Sequence, residues 1–409
     1  MAARLVLAVV LAAFATAASA CKTSTEVVFL VGLDIAPSDT FLPQLGTLRL
    51  DVTAHDTGGR QINVHPLFEV GDSTLVSVTP DGFVTSLGPI GTTVIEASLG
   101  PFEDYVTVTV HDSSLVRVKV PNRAYGAAIA PNGVAYATQV DLGTLRRIDL
   151  QLRTVGAEVA VGSIPTELAF SSTGAVAYVT NQASQSVSIV NVATNTQTDV
   201  IPVTGGPFEV IVTPGDSIIY VSTTIDSVYG IRLATKTVVA AFPTPAIGNG
   251  FALRNDTLLY VSTHSGGTVI EFNLKTRAVA RTFTVGGTPQ KLVVSPDGNE
   301  LYIANQAGYV QFWNLLTGAQ IGGNVALPPG SAGYGLARRP STGQLYVTTA
   351  YFGGGSIHIV NPVTRTLTRT IVAGGSTRRV VFNASGTIGF VPNEGSAYSG
   401  GGGWIDFLK

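Results

Sequence analysis

Glu167 and Glu209 are the residues best able to support acid–base or metal chemistry. They stand at equivalent places in two copies of one local pattern, Pro165-Thr-Glu167 and Pro207-Phe-Glu209. Pro289-Gln-Lys291 repeats that pattern with a cation, and Tyr334-Gly335 and Arg378-Arg379 occupy the corresponding places further along. Two converging carboxylates suit a metal or an acid–base pair. Other chemistry is poorly represented. His55, His65, His111, His264 and His358 fall in no His-x-His, His-x-x-His or His-Glu-x-x-His arrangement, and Cys21 is the only cysteine, so no metal-ligand spacing is present. No Gly-x-Ser-x-Gly elbow precedes a helical pattern. The glycine runs Gly353–Gly355 and Gly400–Gly403 lack the lysine and the strand-to-helix setting of a phosphate loop.

The elements that must position these residues are repeated ones. Tyr136, Tyr178, Tyr220, Tyr260, Tyr302 and Tyr346 recur at spacings of 42, 42, 40, 42 and 44 residues, and Phe390 takes the same place 44 residues later. Each period holds four apolar or alternating runs separated by Gly, Asn, Asp and Ser, the pattern of four short antiparallel strands. Seven periods of this length predict a seven-bladed β-propeller over residues 113–409. The last period lacks its fourth run, and Leu115–Val120 has the alternation to supply it. Pairing outside the final blade would close the ring and cover an edge that invites aggregation. In this register Glu167, Glu209, Lys291, Tyr334, Arg378 and Arg379 lie near the channel mouth on one face. The Arg338-Arg339 and Arg378-Arg379 pairs otherwise read as solvated surface charges. The loops on the same face lengthen in the last two blades, which places Tyr351, Phe352 and Tyr398 beside Tyr334, Arg378 and Arg379 as an aromatic rim suited to a glycan, a peptide or an envelope protein.

Tyr178-Val-Thr-Asn181 resembles the signature of the YVTN β-propeller repeat family, with looser versions at Tyr302-Ile-Ala-Asn305, Tyr346-Val-Thr-Thr349, Tyr220-Val-Ser-Thr223 and Tyr260-Val-Ser-Thr263. Ser295-Pro-Asp-Gly298 and Val285-Gly-Gly-Thr-Pro289 match that family's turn and blade-entry positions. The resemblance implies the fold and an extracytoplasmic setting, and it brings no shared catalytic motif.

Residues 26–112 lack the Tyr period. Their alternating runs, the Thr79-Pro-Asp-Gly82 turn and Phe83-Val-Thr85 resemble the bacterial Ig-like group-2 domain, with Phe68 near the place of that family's usual Trp. The resemblance implies a β-sandwich spacer or adhesive module. The fold class expected is therefore all-β, an Ig-like β-sandwich followed by a seven-bladed β-propeller.

Residues 1–20 carry one early cation, Arg4, a short apolar run and Ala17-Ala-Ser-Ala20, the form of a secretory signal. Cys21 follows at once and resembles the lipidated cysteine of a bacterial lipoprotein box, with 21–25 as a linker. Ala18 departs from the Leu usual in that box, so cleavage without lipidation, leaving a periplasmic protein, stays open. Lys22 next to the cysteine favours, by the same resemblance, the outer membrane. Charged residues make up 12% of the chain and the formal net charge is −2, which disfavours a nucleic-acid partner held by a basic stripe. The expectation is a monomeric, non-enzymatic, lipid-anchored binding protein of the cell envelope with no cofactor. The alternatives are a propeller-type lactonase or dehydrogenase and a periplasmic nucleic-acid-binding protein.

Overall fold

In the computed structural model, residues 29–225, 227–350, 354–395 and 402–409 are described. Among them every regular element is a β-strand. From Leu115 onward the strands form seven four-stranded antiparallel sheets, six of them meandering in sequence order from an inner to an outer strand. The first blade runs through Ala124–Ile129, Ala135–Gln139, Thr144–Asp149 and Thr154–Ala160. Innermost strands of successive blades lie side by side, and Ala124–Ile129 also meets the seventh blade. The ring is closed and propeller-like.

Closure takes the form expected from the missing fourth run. Leu115–Lys119 pairs antiparallel with Trp404–Leu408, which pairs in turn with Gly389–Asn393. Val120 extends the clasp by donating its N–H to the Gly403 carbonyl. Arg117 stands directly opposite Asp406 in this register, and their side chains form an ion pair at 2.7 Å that is almost wholly buried.

The recurring Tyr acts as a wedge between blades. Tyr136 is fully buried and packs with Leu168, Ala177 and Val179 of the second blade, and its hydroxyl donates to Asn195 Oδ1 at 2.7 Å. Tyr178, Tyr220, Tyr260, Tyr302 and Tyr346 pack in the same way against the third to seventh blades in turn. Phe390 closes the series against Ala124, Ala127 and Ile148 of the first blade.

The hydroxyl two residues after the Tyr staples neighbouring blades. Thr180 Oγ1 accepts from the Glu167 N–H at 3.0 Å and donates to the Phe208 carbonyl at 2.8 Å. Thr138 does likewise between Gly126 and Thr166, and Ser262 donates to the Gln290 carbonyl at 2.6 Å. These bonds fall where each inner strand bulges at its start, satisfying backbone groups that the ladder leaves unpaired. At such a bulge the next blade comes very close. A Cβ on Gly126 would stand 2.0 Å from the Thr166 carbonyl oxygen, and one on Gly250 would stand 2.3 Å from that of Gln290. Side chains larger than hydrogen are sterically excluded there.

Residues 29–111 form three small sheets around a core of Ile35, Leu42, Val52, Val76, Val84, Ile95, Val106 and Val108. Asp39–Pro43 runs parallel to Phe102–His111, whereas the other pairings are antiparallel. Phe68 packs half-buried against this core. Only Asp112, Ser113 and Ser114 separate its last strand from the clasp strand of the ring.

Candidate functional site

Two consecutive residues at the start of each inner strand face the ring axis region. In the seven blades they are Tyr125-Gly126, Thr166-Glu167, Phe208-Glu209, Asn249-Gly250, Gln290-Lys291, Tyr334-Gly335 and Arg378-Arg379. The bulge that each strand makes here sets these side chains off the regular alternation.

The second positions supply a buried charge cluster drawn from four blades. Glu167 pairs with Arg379 and stands 3.9 Å from Lys291 Nζ. Glu209 pairs closely with Lys291 and lies 3.5 Å from Arg379 Nη2. Glu167, Glu209 and Arg379 are all nearly inaccessible, while Lys291 keeps a small exposed tip. Burial pushes the Glu209 carboxyl above its usual range, Lys291 pulls it back, and Glu167 adds to the rise. Burial works against the Arg379 charge, but Glu167 and Glu209 outweigh it and hold the guanidinium above its ordinary range. Two anions and two cations thus cancel inside the ring.

Above this plug lies a layer of aromatic and amide groups. Tyr125 and Tyr334 meet hydroxyl to hydroxyl at 3.2 Å, and the Arg378 guanidinium lies 4.6 Å from the Tyr334 ring and 5.3 Å from the Tyr125 ring. Phe208 packs edge-on to Tyr125 with centroids 6.3 Å apart. Arg378 donates to Glu394 at 2.6 Å, and Arg123 bridges Asp141 and Glu394. On the opposite side Asn249 and Gln290 both place their amide nitrogens against His264 Nδ1, at 2.8 and 2.9 Å. An imidazole nitrogen facing two donors is the acceptor, so the proton sits on Nε2. Burial lowers the pKa of His264 and favours this neutral form.

The structure therefore brings together Glu167, Glu209, Lys291, Tyr334, Arg378 and Arg379, as the repeat register anticipates. It corrects how three of them are used. Tyr334 is not part of an exposed rim; it is 9% exposed and lies in the channel wall beneath Arg378. Arg378 and Arg379 are not a solvated surface pair, since Arg379 is 4% exposed and both are held by carboxylates. Glu167 and Glu209 do converge, but Lys291 and Arg379 occupy the space where a metal would sit. Tyr351, Phe352, Tyr398 and Cys21 lie outside the described residues. Tyr125, Asn249 and Glu394 were not anticipated. The inner-strand turns of the first and fourth blades are one residue shorter, which blurs a count made backward from the Tyr. Glu394 follows the Asn that ends the seventh copy of the signature strand, and only its contact with Arg378 gives it meaning.

His358 lies within Ser356–Asn361, its nitrogens bonded to Thr370 Oγ1 at 2.9 Å and Ser331 Oγ at 3.1 Å, and burial lowers its pKa to about 4. The neutral ring is the folded form. The unfolded chain binds the proton first as pH falls below the ordinary value of 6.5, so stability present above that value is lost on the way down to about pH 4. Urea denaturation at pH 7 and pH 4.5 is expected to show up to about 2 kcal/mol of acid destabilisation that His358→Asn removes. An equal loss in both proteins would assign it to other groups.

The fold is similar to that of a chain in a solved structure of Kuenenia stuttgartiensis hydrazine synthase, with a TM-score of 0.61 and 17% sequence identity over 71% of this chain and 97% of that one. At that identity the similarity is one of fold. No protein-family model and no curated protein matches the chain.

Proposed function

We propose that the chain is a non-enzymatic binding protein of the cell envelope, built as an Ig-like (group 2) sandwich followed by a YVTN-type seven-bladed propeller. On this reading it is exported through the signal at residues 1–20 and anchored by a lipid on Cys21. The observation that carries the proposal is the charge balance at the ring axis. Each carboxylate there, Glu167, Glu209, Glu394 and Asp141, is matched by a cation, Arg379, Lys291, Arg378 or Arg123. A general base or a metal site needs a carboxylate whose charge is available. Among the described residues no group of three His, Cys, Asp or Glu side chains is placed to hold a metal.

What the mouth offers is recognition chemistry: the half-buried Phe208 and Arg378, backed by the Tyr125–Tyr334 pair and the amide and imidazole groups of Asn249, Gln290 and His264. Aromatic and Arg side chains are the usual anchors of a binding face. The partner class is a polar glycan, a peptide or an envelope protein.

The test is retention of glycans, peptides and solubilised envelope fractions on immobilised mature protein. Phe208→Ala combined with Arg378→Gln is expected to weaken the retained ligand by about 2 kcal/mol or more while leaving the fold intact by circular dichroism. Retention unchanged in the variant would remove the mouth as the site. In the same cells Cys21→Ser should move the protein from the membrane to the soluble fraction, and identical fractionation would remove the anchor.

A further inference from the structure

A second site lies away from the ring axis, where the N-terminal domain meets the seventh blade. A cleft of about 700 Å³ opens there, of a size that takes a small molecule, and domain junctions are common places for such sites. One wall is the sheet face carrying Thr107, Thr109 and His111 on alternate residues of one strand. Pairing sets Thr107 opposite Asp39 and Thr109 opposite both Phe41 and Thr92. The other wall comes from the ring, with Arg117, Lys119, Val372 and Trp404.

The charges of this cleft are already spent. Arg117 is locked to Asp406 and lies 4.4 Å from the Trp404 ring and 5.3 Å from that of Phe41. Lys119 pairs with Asp39, and the Trp404 indole N–H donates to Asp406 at 2.9 Å. The neutral polar groups are spent only in part. Thr92 and Thr109 bond to each other across the strands, and the Thr107 hydroxyl on the same face has no hydrogen-bond partner among the described residues. His111 is only 4% exposed, and its Nδ1 lies 3.0 Å from the Asp112 carbonyl. A carbonyl only accepts, so Nδ1 carries the proton and Nε2 is left as an acceptor, unpartnered among the described residues.

Leaving these groups dry is costly, so an acyl chain or other wholly apolar guest fits poorly. An ionic guest finds no free countercharge. A molecule with a non-polar face for Phe41 and Trp404 and hydroxyls for Thr107 and His111 answers both walls. We propose that the cleft between the N-terminal domain and the ring binds a neutral oligosaccharide, independently of any ligand at the ring mouth.

Trp313 and Trp404 are the two tryptophans, and Trp313 lies in the core between the fourth and fifth blades. Trp313→Phe therefore leaves one reporter in the cleft. That protein is titrated with uncharged tetrasaccharides of glucose, mannose, galactose and N-acetylglucosamine, with laurate as the apolar probe. The expected result is a saturable change in Trp404 emission with at least one sugar below about 1 mM. Thr107→Ile, an exposed strand position that tolerates a β-branched residue, should weaken that binding about tenfold or more. Phe208→Ala at the mouth should leave it unchanged, which separates this site from the other one. No saturable response to any sugar, saturation by laurate alone, or sugar binding insensitive to Thr107→Ile would overturn the proposal.

Discussion

Arg117→Met is expected to destabilise the protein by about 3–5 kcal/mol and to promote association between molecules. The substitution leaves Asp406, which is 0% exposed, as a buried anion whose remaining side-chain donor is the Trp404 indole N–H. The damage falls on the clasp that closes the ring, because Arg117 and Asp406 are opposed partners in the Leu115–Lys119 and Trp404–Leu408 pairing. Loosening that pairing exposes a strand edge, and open edges template aggregation. The paired substitution Arg117→Met with Asp406→Leu should recover most of the loss, since removing both charges leaves no unpaired ion. Denaturant melts with light scattering measure both effects. A single variant as stable and monodisperse as the parent would show that the ion pair does not hold the clasp.

Arg379→Met should cost a similar amount, about 3–5 kcal/mol, and its cost should depend on pH. Without Arg379, Glu167 and Glu209 share Lys291 alone, and the cluster carries one uncompensated negative charge. Burial already raises the Glu209 pKa, and losing a cation raises it further. A carboxyl raised above its unfolded value contributes stability that is present below the unfolded pKa and lost as pH rises through the folded one. The destabilisation should therefore be larger at pH 8 than at pH 5. Adding Glu167→Gln restores the balance of one anion to one cation and should recover part of the stability in a double-mutant cycle. A cost that is small or flat with pH would mean that the cluster is solvated enough to tolerate an unpaired carboxylate.

The ring was legible in the sequence because its repeating unit must present the same groups to the next blade each time. A Tyr that wedges against a neighbour, a hydroxyl that staples it and a glycine or asparagine in each turn recur at nearly constant spacing. The clasp was legible for a related reason: a missing fourth strand leaves one place for Leu115–Lys119 to go. The axis residues were legible as positions, since their register follows the Tyr, but their state was not. Glu167 sits in the second blade, Lys291 in the fifth and Arg379 in the seventh, and only closure of the ring brings them within a few ångströms. Tyr334 reads from sequence as part of an exposed rim because its register places it on the face where the loops of the last two blades lengthen. The bulge that turns it into the channel wall is a property of backbone geometry and has no residue signature. The cleft beside Trp404 depends on two domains meeting, and neither domain's own pattern announces it.

On the proposed function, cations neutralise the carboxylates at the ring axis and leave the mouth to recognise a ligand without taking up a metal. Calorimetric titration of the metal-stripped protein with calcium and with zinc probes those carboxylates themselves. No saturable uptake of either ion is expected at the mouth up to about 1 mM, and Glu209→Gln should give the same trace as the parent. Stoichiometric uptake by the parent that disappears in Glu209→Gln would contradict that proposal.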